Sequence, residues 1–377
     1  MPQRSQPTIP WPRIFDFRLA RQRLADSGQS DPAALCLGAC GIQAQVMSAA
    51  EMALWARQHS LTREKIHAAL WKSRSLVKTL AMRGTLHLLP TSHYALYMRA
   101  LRKSRMRQMR QIMARYGVTS KVSDRVTEAV LEALSNGPLT RPELTGRILA
   151  LDFVKGKAKA WFDQSWWGVT RQAMAEGLVC YGPDQGRSVT LVLTEQWLPP
   201  QEAVEEQEAQ KCLFRHYLSS YGPATLQDFS KWAGLKVSEA RAIRELLEEE
   251  LVEVQAGSGP GWLLSRDREA LSESRPPRPH LRLLPYFDCY LLGHAQKNPF
   301  LDPKHYKQVF RQAGWVSPVI LLDGKVIGVW DLTHRSNHSI VKVKPFKKLS
   351  KAVGGMIERE VADLRKFLGN PTQVVTI

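Results

Sequence analysis

LTREKIHAALWKSRSLVKTLAMRGTLHLLP, residues 61–90, is the stretch on which the fold turns. Thr62 stands ahead of a run in which Ile66, Ala69 and Leu70 share one helical face, so a helix reaches to about Trp71. Ser75–Leu80 and Thr85–Leu89 are short and apolar, and Met82-Arg83-Gly84 between them makes a tight turn. Helices followed by a strand pair outline a winged helix, a helix-turn-helix variant that often binds DNA.

Towards the N-terminus, Arg18–Asp26 reads as a helix. Asp31-Pro32 opens the next, with a capping residue and a proline in the first turn. Ser48 and Glu51 form a capping-box pair for Ala49–His59. Towards the C-terminus the same order returns twice. Helices are expected at Asp124–Ser135, Thr140–Leu149 and Lys159–Glu176, then strands at Leu178–Tyr181 and Val189–Leu193. Helices at Glu205–Tyr221, Thr225–Ala233 and Val237–Glu249 precede strands at Leu251–Gln255 and Trp262–Leu264. SESRPPRPH (272–280) is a linker by composition. Beyond it Leu281–Pro285, Val316–Leu322, Lys325–Trp330 and Ser339–Val343 are strands, with Asp323-Gly324 as a hairpin turn, and a helix from Ser350 to Leu368 follows. The expected fold is mostly α with β. Three tandem winged-helix units (1–118, 119–200 and 201–271) precede the linker (272–280) and a small antiparallel β-barrel-like domain with a C-terminal helix (281–377).

The 377 residues include 53 Lys and Arg against 35 Asp and Glu, a formal net charge of +18. With 44% hydrophobic residues the chain is globular rather than a disordered basic tail. That charge points to nucleic acid or an anionic membrane surface. No apolar run approaches the roughly 18 residues that span a bilayer. MPQRSQPTIPWPRIF at the start lacks the apolar core of a signal peptide. The expectation is a cytoplasmic protein associated with the nucleoid, for which a monomer suffices. Five cysteines, Cys36, Cys40, Cys180, Cys212 and Cys289, are odd in number and scattered, which argues against a disulfide framework. Cys36 and Cys40 lack a second Cys/His pair at zinc spacing, so no metal is expected. Neither a Walker loop nor GxGxxG occurs, and no nucleotide cofactor is implied.

Arg99–Arg115, RALRKSRMRQMRQIMAR, contains no acid. Met106, Met109 and Met113 fall on one helical face, so that face packs while the others meet phosphate. Arg105, Arg107 and Arg110 are the candidates for that contact. Lys155, Lys157 and Lys159 lie beside Trp161, Trp166 and Trp167 in a second basic-aromatic cluster. Trp161 and Trp167 are expected in the core, which leaves Lys157 and Lys159 for phosphate. Arg83 and Arg187 stand at expected wing tips. His87, on the strand after the first wing turn, is a further candidate for DNA contact, the alternative being a histidine held in a structural hydrogen bond. Asp288, in PYFDCY, is expected to fix a loop.

GIQAQ (41–45) places two amides, Gln43 and Gln45, one residue apart. A carboxamide has no useful pKa and offers one acceptor oxygen and two donor hydrogens. Two of them can hold a water and aim its lone pair, but cannot protonate a leaving group. Gln-x-Gln also arises by chance on surfaces; as a site, the pair suits hydrolysis of the N-glycosidic bond to a purine already alkylated at N7. Such a base carries a positive charge and leaves without a proton from the enzyme, while an oxocarbenium ion develops on the sugar.

RLARQRLA (18–25), GIQAQ (41–45), RGTLHLLP (83–90), YGPATLQDFSKWAGL (221–235), LLPYFDCYLLG (283–293) and GWVSPVILLDGKVIGVW (314–330) occur in that order. Together they resemble the bacterial winged helix DNA-binding domain-containing family, which includes interstrand-crosslink DNA glycosylases of the AlkZ and YcaQ type. The resemblance spans nearly the whole chain. It implies tandem winged helices and a β-barrel domain that clasp double-stranded DNA. It also implies monofunctional glycosylase activity on N7-alkylated purines, with interstrand crosslinks as further substrates. The family's catalytic Gln-x-Gln matches Gln43-Ala44-Gln45. Some relatives carry an acid at the second position, which this chain does not, and Ala44 is smaller than the usual middle residue. The alternative is a non-catalytic winged-helix protein, a transcription regulator or a damage-recognition module. Regulators commonly dimerise to read a palindrome, and no heptad seam or symmetric dimer element is seen.

Overall fold

Local capping chemistry sets the starts of some helices, though not of Met47–Trp55, which begins from Val46 with no side-chain cap where Ser48 is the expected one. In a computed structural model that describes residues 8–25, 28–165, 168–257, 259–274 and 279–376, Thr140 and Glu143 form a reciprocal box at the head of helix Arg141–Leu149. Asp31 caps Pro32–Gly38 through the Ala34 amide at 2.9 Å. The helix read as Arg18–Asp26 instead runs Trp11–Arg21, because Pro10 at the cap and Pro12 in the first turn pre-set its entry. Asp26 lies outside the described residues, as do Trp166, Trp167 and linker residues 275–278. The helix read as Lys159–Glu176 is two, Gly156–Gln164 and Arg171–Glu176. The first ends where Ser165 turns extended, and a side chain on Gly168 would stand 2.8 Å from the Phe162 backbone, so glycine is what fits there.

The chain gathers into two compact units. The first takes residues up to 66 with 214–232 and 236–377, and the second takes 67–213 with 233–235.

In the first unit, Ile14 and Phe17 of helix Trp11–Arg21 pack with Val254, Ala256, Leu263 and Leu271. These partners come from the hairpin Leu251–Ala256 with Gly259–Leu264 and from helix Arg268–Glu273. Further on, five strands form an open sheet in the order Thr372–Thr376, Ser339–Pro345, Lys325–His334, Val319–Leu322, Leu281–Leu284. Neighbours are antiparallel except Thr372–Thr376, which runs parallel to Ser339–Pro345. The expected barrel-like closure is therefore absent among the described residues. The outer edge of Leu281–Leu284, which a barrel would pair, is covered by helix Lys351–Leu368, where Glu360 Oε1 accepts the Leu283 amide at 3.2 Å. Asp323 and Gly324 take left-handed φ of 48° and 80° in the turn between the two central strands, as their pairing predicts. A side chain at 324 would also stand 2.5 Å from Phe15, so glycine lets the turn approach the first helix.

In the second unit, Leu76–Leu80 pairs antiparallel with Leu86–Pro90 around the turn Met82–Gly84. Helix Tyr94–Arg115 buries Met106, Met109 and Met113, the stripe read from their spacing, and extends it back to Leu101 and Met98. A second hairpin joins Val179–Gln185 to Ser188–Leu193, and Leu139–Thr140 adds to its outer side.

Candidate active site and nucleic-acid interface

The segment that carries the two amides begins as a helix end. The amides of Cys40 and Gly41 donate to the carbonyls of Leu37 and Cys36 at 2.9 and 2.7 Å. Both residues hold left-handed φ, 54° and 95°. This closes Pro32–Gly38 and turns the chain directly into the extended pair Ile42–Gln43. Helix Met47–Trp55 follows at once. Gln43 is 8% exposed, Ala44 is fully buried and Gln45 is exposed. The middle residue of Gln-x-Gln is thus a packing residue, and the two amides flank it where the interior meets solvent.

A buried polar frame in the first unit anchors that turn. The Tyr221 hydroxyl donates to the Ala39 carbonyl at 2.8 Å, and the Tyr221 carbonyl accepts His294 Nε2 at 2.9 Å. Tyr217 donates to the Gly293 carbonyl at 2.7 Å. Arg18 reaches the Pro223 carbonyl at 2.7 Å, and Gln22 the Ser220 carbonyl at 3.2 Å. Asp228 accepts from the Thr225 amide at 2.9 Å and the Ala295 amide at 2.6 Å. Arg57 meets Asp288 through two nitrogens, at 2.8 and 3.0 Å, and also touches Cys289 Sγ at 2.9 Å. Asp288 further caps Cys289–Leu292 through the Tyr290 amide. The loop-fixing role expected for Asp288 is what the contacts show. Three of the quoted motifs, RLARQRLA, YGPATLQDF and LLPYFDCYLLG, therefore supply one framework. The part of it that sequence reading missed is Arg57, whose partner lies 231 positions away.

Burial shapes the charges here. It works to lower the pKa of Arg57, but Asp288 and Cys289 raise it above the ordinary value, so the guanidinium stays charged. Burial drives His294 down to about 3, with the Arg18 charge adding and Asp228 opposing, so this imidazole is neutral and carries its proton on Nε2.

The expected DNA-contacting residues all lie in the second unit, and the structure separates them. Arg107 is half-buried and Arg110 is exposed, and both line a groove of about 490 Å³ with Arg99, Arg102, Lys103, Met106, Gln111, Glu176 and Glu206. Within it Lys103 pairs with Glu206 at 2.8 Å. Lys157 and Lys159 are exposed on helix Gly156–Gln164, whose Trp161 is buried and stacked on Tyr116. Arg187 is exposed in the turn of the second hairpin. Arg83 sits in the first turn with φ 57° and is half-buried.

Two candidates are corrected. Arg105 is buried, and its guanidinium donates to the Leu80 and Met98 carbonyls at 2.7 Å each, so it serves the interior instead of phosphate. His87 is buried too, beside the Thr85 carbonyl at 2.9 Å. Burial and the nearby Arg83 charge push it down to about 3, which leaves a neutral ring with nothing to offer a phosphate. Cys36, Cys40, Cys180 and Cys289 are buried thiols outside any disulfide. Among the described residues no group of three His, Cys, Asp or Glu is placed to hold a metal ion, and no helix is long and apolar enough to cross a membrane.

The site is thus an amide pair at the solvent edge of a braced turn, in a basic chain of helices and small sheets. The solved DNA glycosylase AlkZ of Streptomyces sahachiroi matches this fold with a TM-score of 0.86 and 31% identity, covering 98% of this chain and 100% of that one. An interstrand DNA cross-link repair glycosylase from Streptomyces sahachiroi is 32% identical over 367 residues, 95% of this chain and 96% of the relative. The pattern of the AlkZ-like DNA glycosylases matches residues 37–367, and the chain belongs to that family.

Proposed function

We propose that this protein is a monofunctional glycosylase that hydrolyses the N-glycosidic bond of N7-alkylated purines in double-stranded DNA and unhooks interstrand crosslinks. Gln43 and Gln45 are the catalytic pair. They hold a water beneath the deoxyribose C1′ and turn its lone pair towards the developing oxocarbenium ion. The alkylated base is cationic, so it leaves as a good leaving group, and neutral amides suffice. A crosslinked base is tethered to the opposite strand, so the reaction proceeds without full extrusion of the base, unlike that of many glycosylases. The observation that carries this reading is the setting of the pair: Gln45 exposed, Gln43 at the edge, and the turn before them fixed by the Tyr221–Ala39 bond.

The helix-then-hairpin order of the chain supports tandem winged helices as the DNA-binding scaffold. Arg83, Arg107, Arg110, Lys157, Lys159 and Arg187 are the proposed phosphate and groove contacts. A monomer acting on the nucleoid fits this role. The cross-link repair named for the Streptomyces relative supports the crosslink as a substrate. The test is base release from duplex DNA bearing 7-methylguanine, read as strand breaks after alkali. Wild-type protein yields breaks. Gln43→Ala and Gln45→Ala lower the rate by roughly a hundredfold each, the cost of misplacing a reacting group, with duplex affinity kept. Intact DNA with wild-type protein across several N7 adducts would refute the activity.

A further inference from the structure

We propose that the first unit carries a second nucleic-acid site, which captures one unpaired nucleotide by stacking its base and gripping its phosphate. A hollow of about 790 Å³ is lined by Tyr286, Lys307, Phe310, Arg311, Gln312 and Trp315. All six belong to the first unit, and none has a part in the chemistry assigned to Gln43 and Gln45. A tight reversal builds it. The Arg311 amide donates to the Trp315 carbonyl at 2.7 Å, and the Trp315 amide to the Gln312 carbonyl at 3.3 Å. Ala313 and Gly314 at the tip take left-handed φ of 53° and 77°. Ala313 holds a conformation that non-glycine residues seldom adopt, and Phe287, packed against Trp315, does the same at 60°.

Trp315 is braced from behind. Tyr286 meets it edge to face, with centroids 5.8 Å apart, and Phe287 packs against it at 5.1 Å. The Tyr286 hydroxyl is itself fixed by Asp331 Oδ1 at 3.2 Å. The indole is nevertheless 45% exposed. An immobilised aromatic face left open to water gains nothing for the fold from its open side, but offers a platform to a second π system. Lys307 and Arg311 are exposed at the same hollow, and neither has a carboxylate within ion-pair distance among the described residues. A planar platform beside two unneutralised cations matches a nucleotide: the base has a π face whatever its identity, and the phosphate answers the cations. Bases of an intact duplex are already stacked on their neighbours, so the occupant is an unpaired nucleotide. The source of that nucleotide, a base displaced beside a lesion, rests on the glycosylase reading; the chemistry of the hollow does not.

The test uses the full-length protein and an oligothymidylate carrying one 5-iodouracil. Irradiation cross-links the iodinated base to Trp315 or Tyr286, as mapped by mass spectrometry. Anisotropy with the same oligonucleotide shows affinity falling about tenfold in Trp315→Ala, recovering in Trp315→Phe, and falling with a shallower salt slope in Arg311→Gln. Cross-links confined to residues outside the hollow, or wild-type affinity in Trp315→Ala, would overturn the proposal. Base release from 7-methylguanine duplexes is measured in parallel with wild-type protein. Its absence would remove the proposed activity while cross-linking at Trp315 still upheld the site; its presence with an indifferent Trp315→Ala would remove the site alone.

Discussion

Arg57 in the first unit and Arg105 in the second are both buried, and they are held in opposite ways. Arg57 faces Asp288 through two nitrogens, with both side chains wholly inside. Arg105 has carbonyls from Leu80 and Met98 at 2.7 Å, with the Met98 sulfur beside them at 3.0 Å. Burial therefore lowers Arg105 to about 10, with Tyr94 opposing and Arg102 adding, whereas Arg57 ends above its ordinary value. Carbonyl dipoles satisfy the N–H groups but do not cancel the charge; a carboxylate does both. The first unit also holds an arginine of the Arg105 kind: Arg18 is buried on the Pro223 carbonyl and burial lowers its pKa, so the carboxylate partner is what sets Arg57 apart.

The sharpest way to break that contrast is Asp288→Ala. It leaves the Arg57 charge sealed in and unpaired, which costs about 3–5 kcal/mol of stability by urea unfolding. Replacing the pair together, Arg57→Met with Asp288→Leu, recovers most of the loss, because two apolar side chains need no partner. An Asp288→Ala protein as stable as wild type would show that the pair does not hold the frame.

A pair of histidines carries the comparison into pH. His294 in the first unit and His87 in the second are both driven down to about 3 by burial. The unfolded chain binds a proton near pH 6.5, while the folded chain refuses it until far lower, so stability is lost as pH falls through 6.5. For His87 the loss between pH 7 and pH 5 is about 2 kcal/mol. His87→Gln flattens the acid limb of the stability curve by that amount. Parallel curves for wild type and His87→Gln would mean that the folded state already accepts the proton.

What could be read from sequence follows how local its cause is. The Thr140 cap and the Asp323-Gly324 turn are decided within four residues and both are present, whereas the box read at Ser48 and Glu51 does not form, because helix Met47–Trp55 starts from Val46 without a side-chain cap. Strand Thr372–Thr376 was not foreseen; its pairing is parallel and supplied by Ser339–Pro345, some thirty positions earlier. Asp288 was legible as a structural acid, but nothing local points from it to Arg57. His87 escaped the alternation rule because Leu86–Pro90 is buried on both faces. The placing of Arg105 was legible and was missed. It stands four residues from Leu101 and from Met109 and seven from Met98, all on the packed face of helix Tyr94–Arg115. Seven cations in one helical run read as a uniform surface, when helical spacing already turns one of them inward. Gln43 and Gln45 stood out through family resemblance, because Gln-x-Gln has no local signature of its own.

That inward turn sets the smallest and most discriminating expectation. Arg107→Gln and Arg110→Gln each remove a proposed phosphate contact, so each shallows the slope of log K against log salt for duplex DNA by about one unit. As surface changes they move the unfolding free energy by no more than about 0.5 kcal/mol. Arg105→Gln behaves in reverse. It surrenders the Leu80 and Met98 carbonyls, which costs about 1–3 kcal/mol, and leaves the salt slope where it was. The two readouts are independent, so the three variants sort the cations of a single helix into those that hold the protein and those that hold DNA. A shallower slope in Arg105→Gln at unchanged stability would mean that its guanidinium leaves the interior to meet phosphate, and the contrast with Arg57 would then lie in mobility instead of in the charge of the partner.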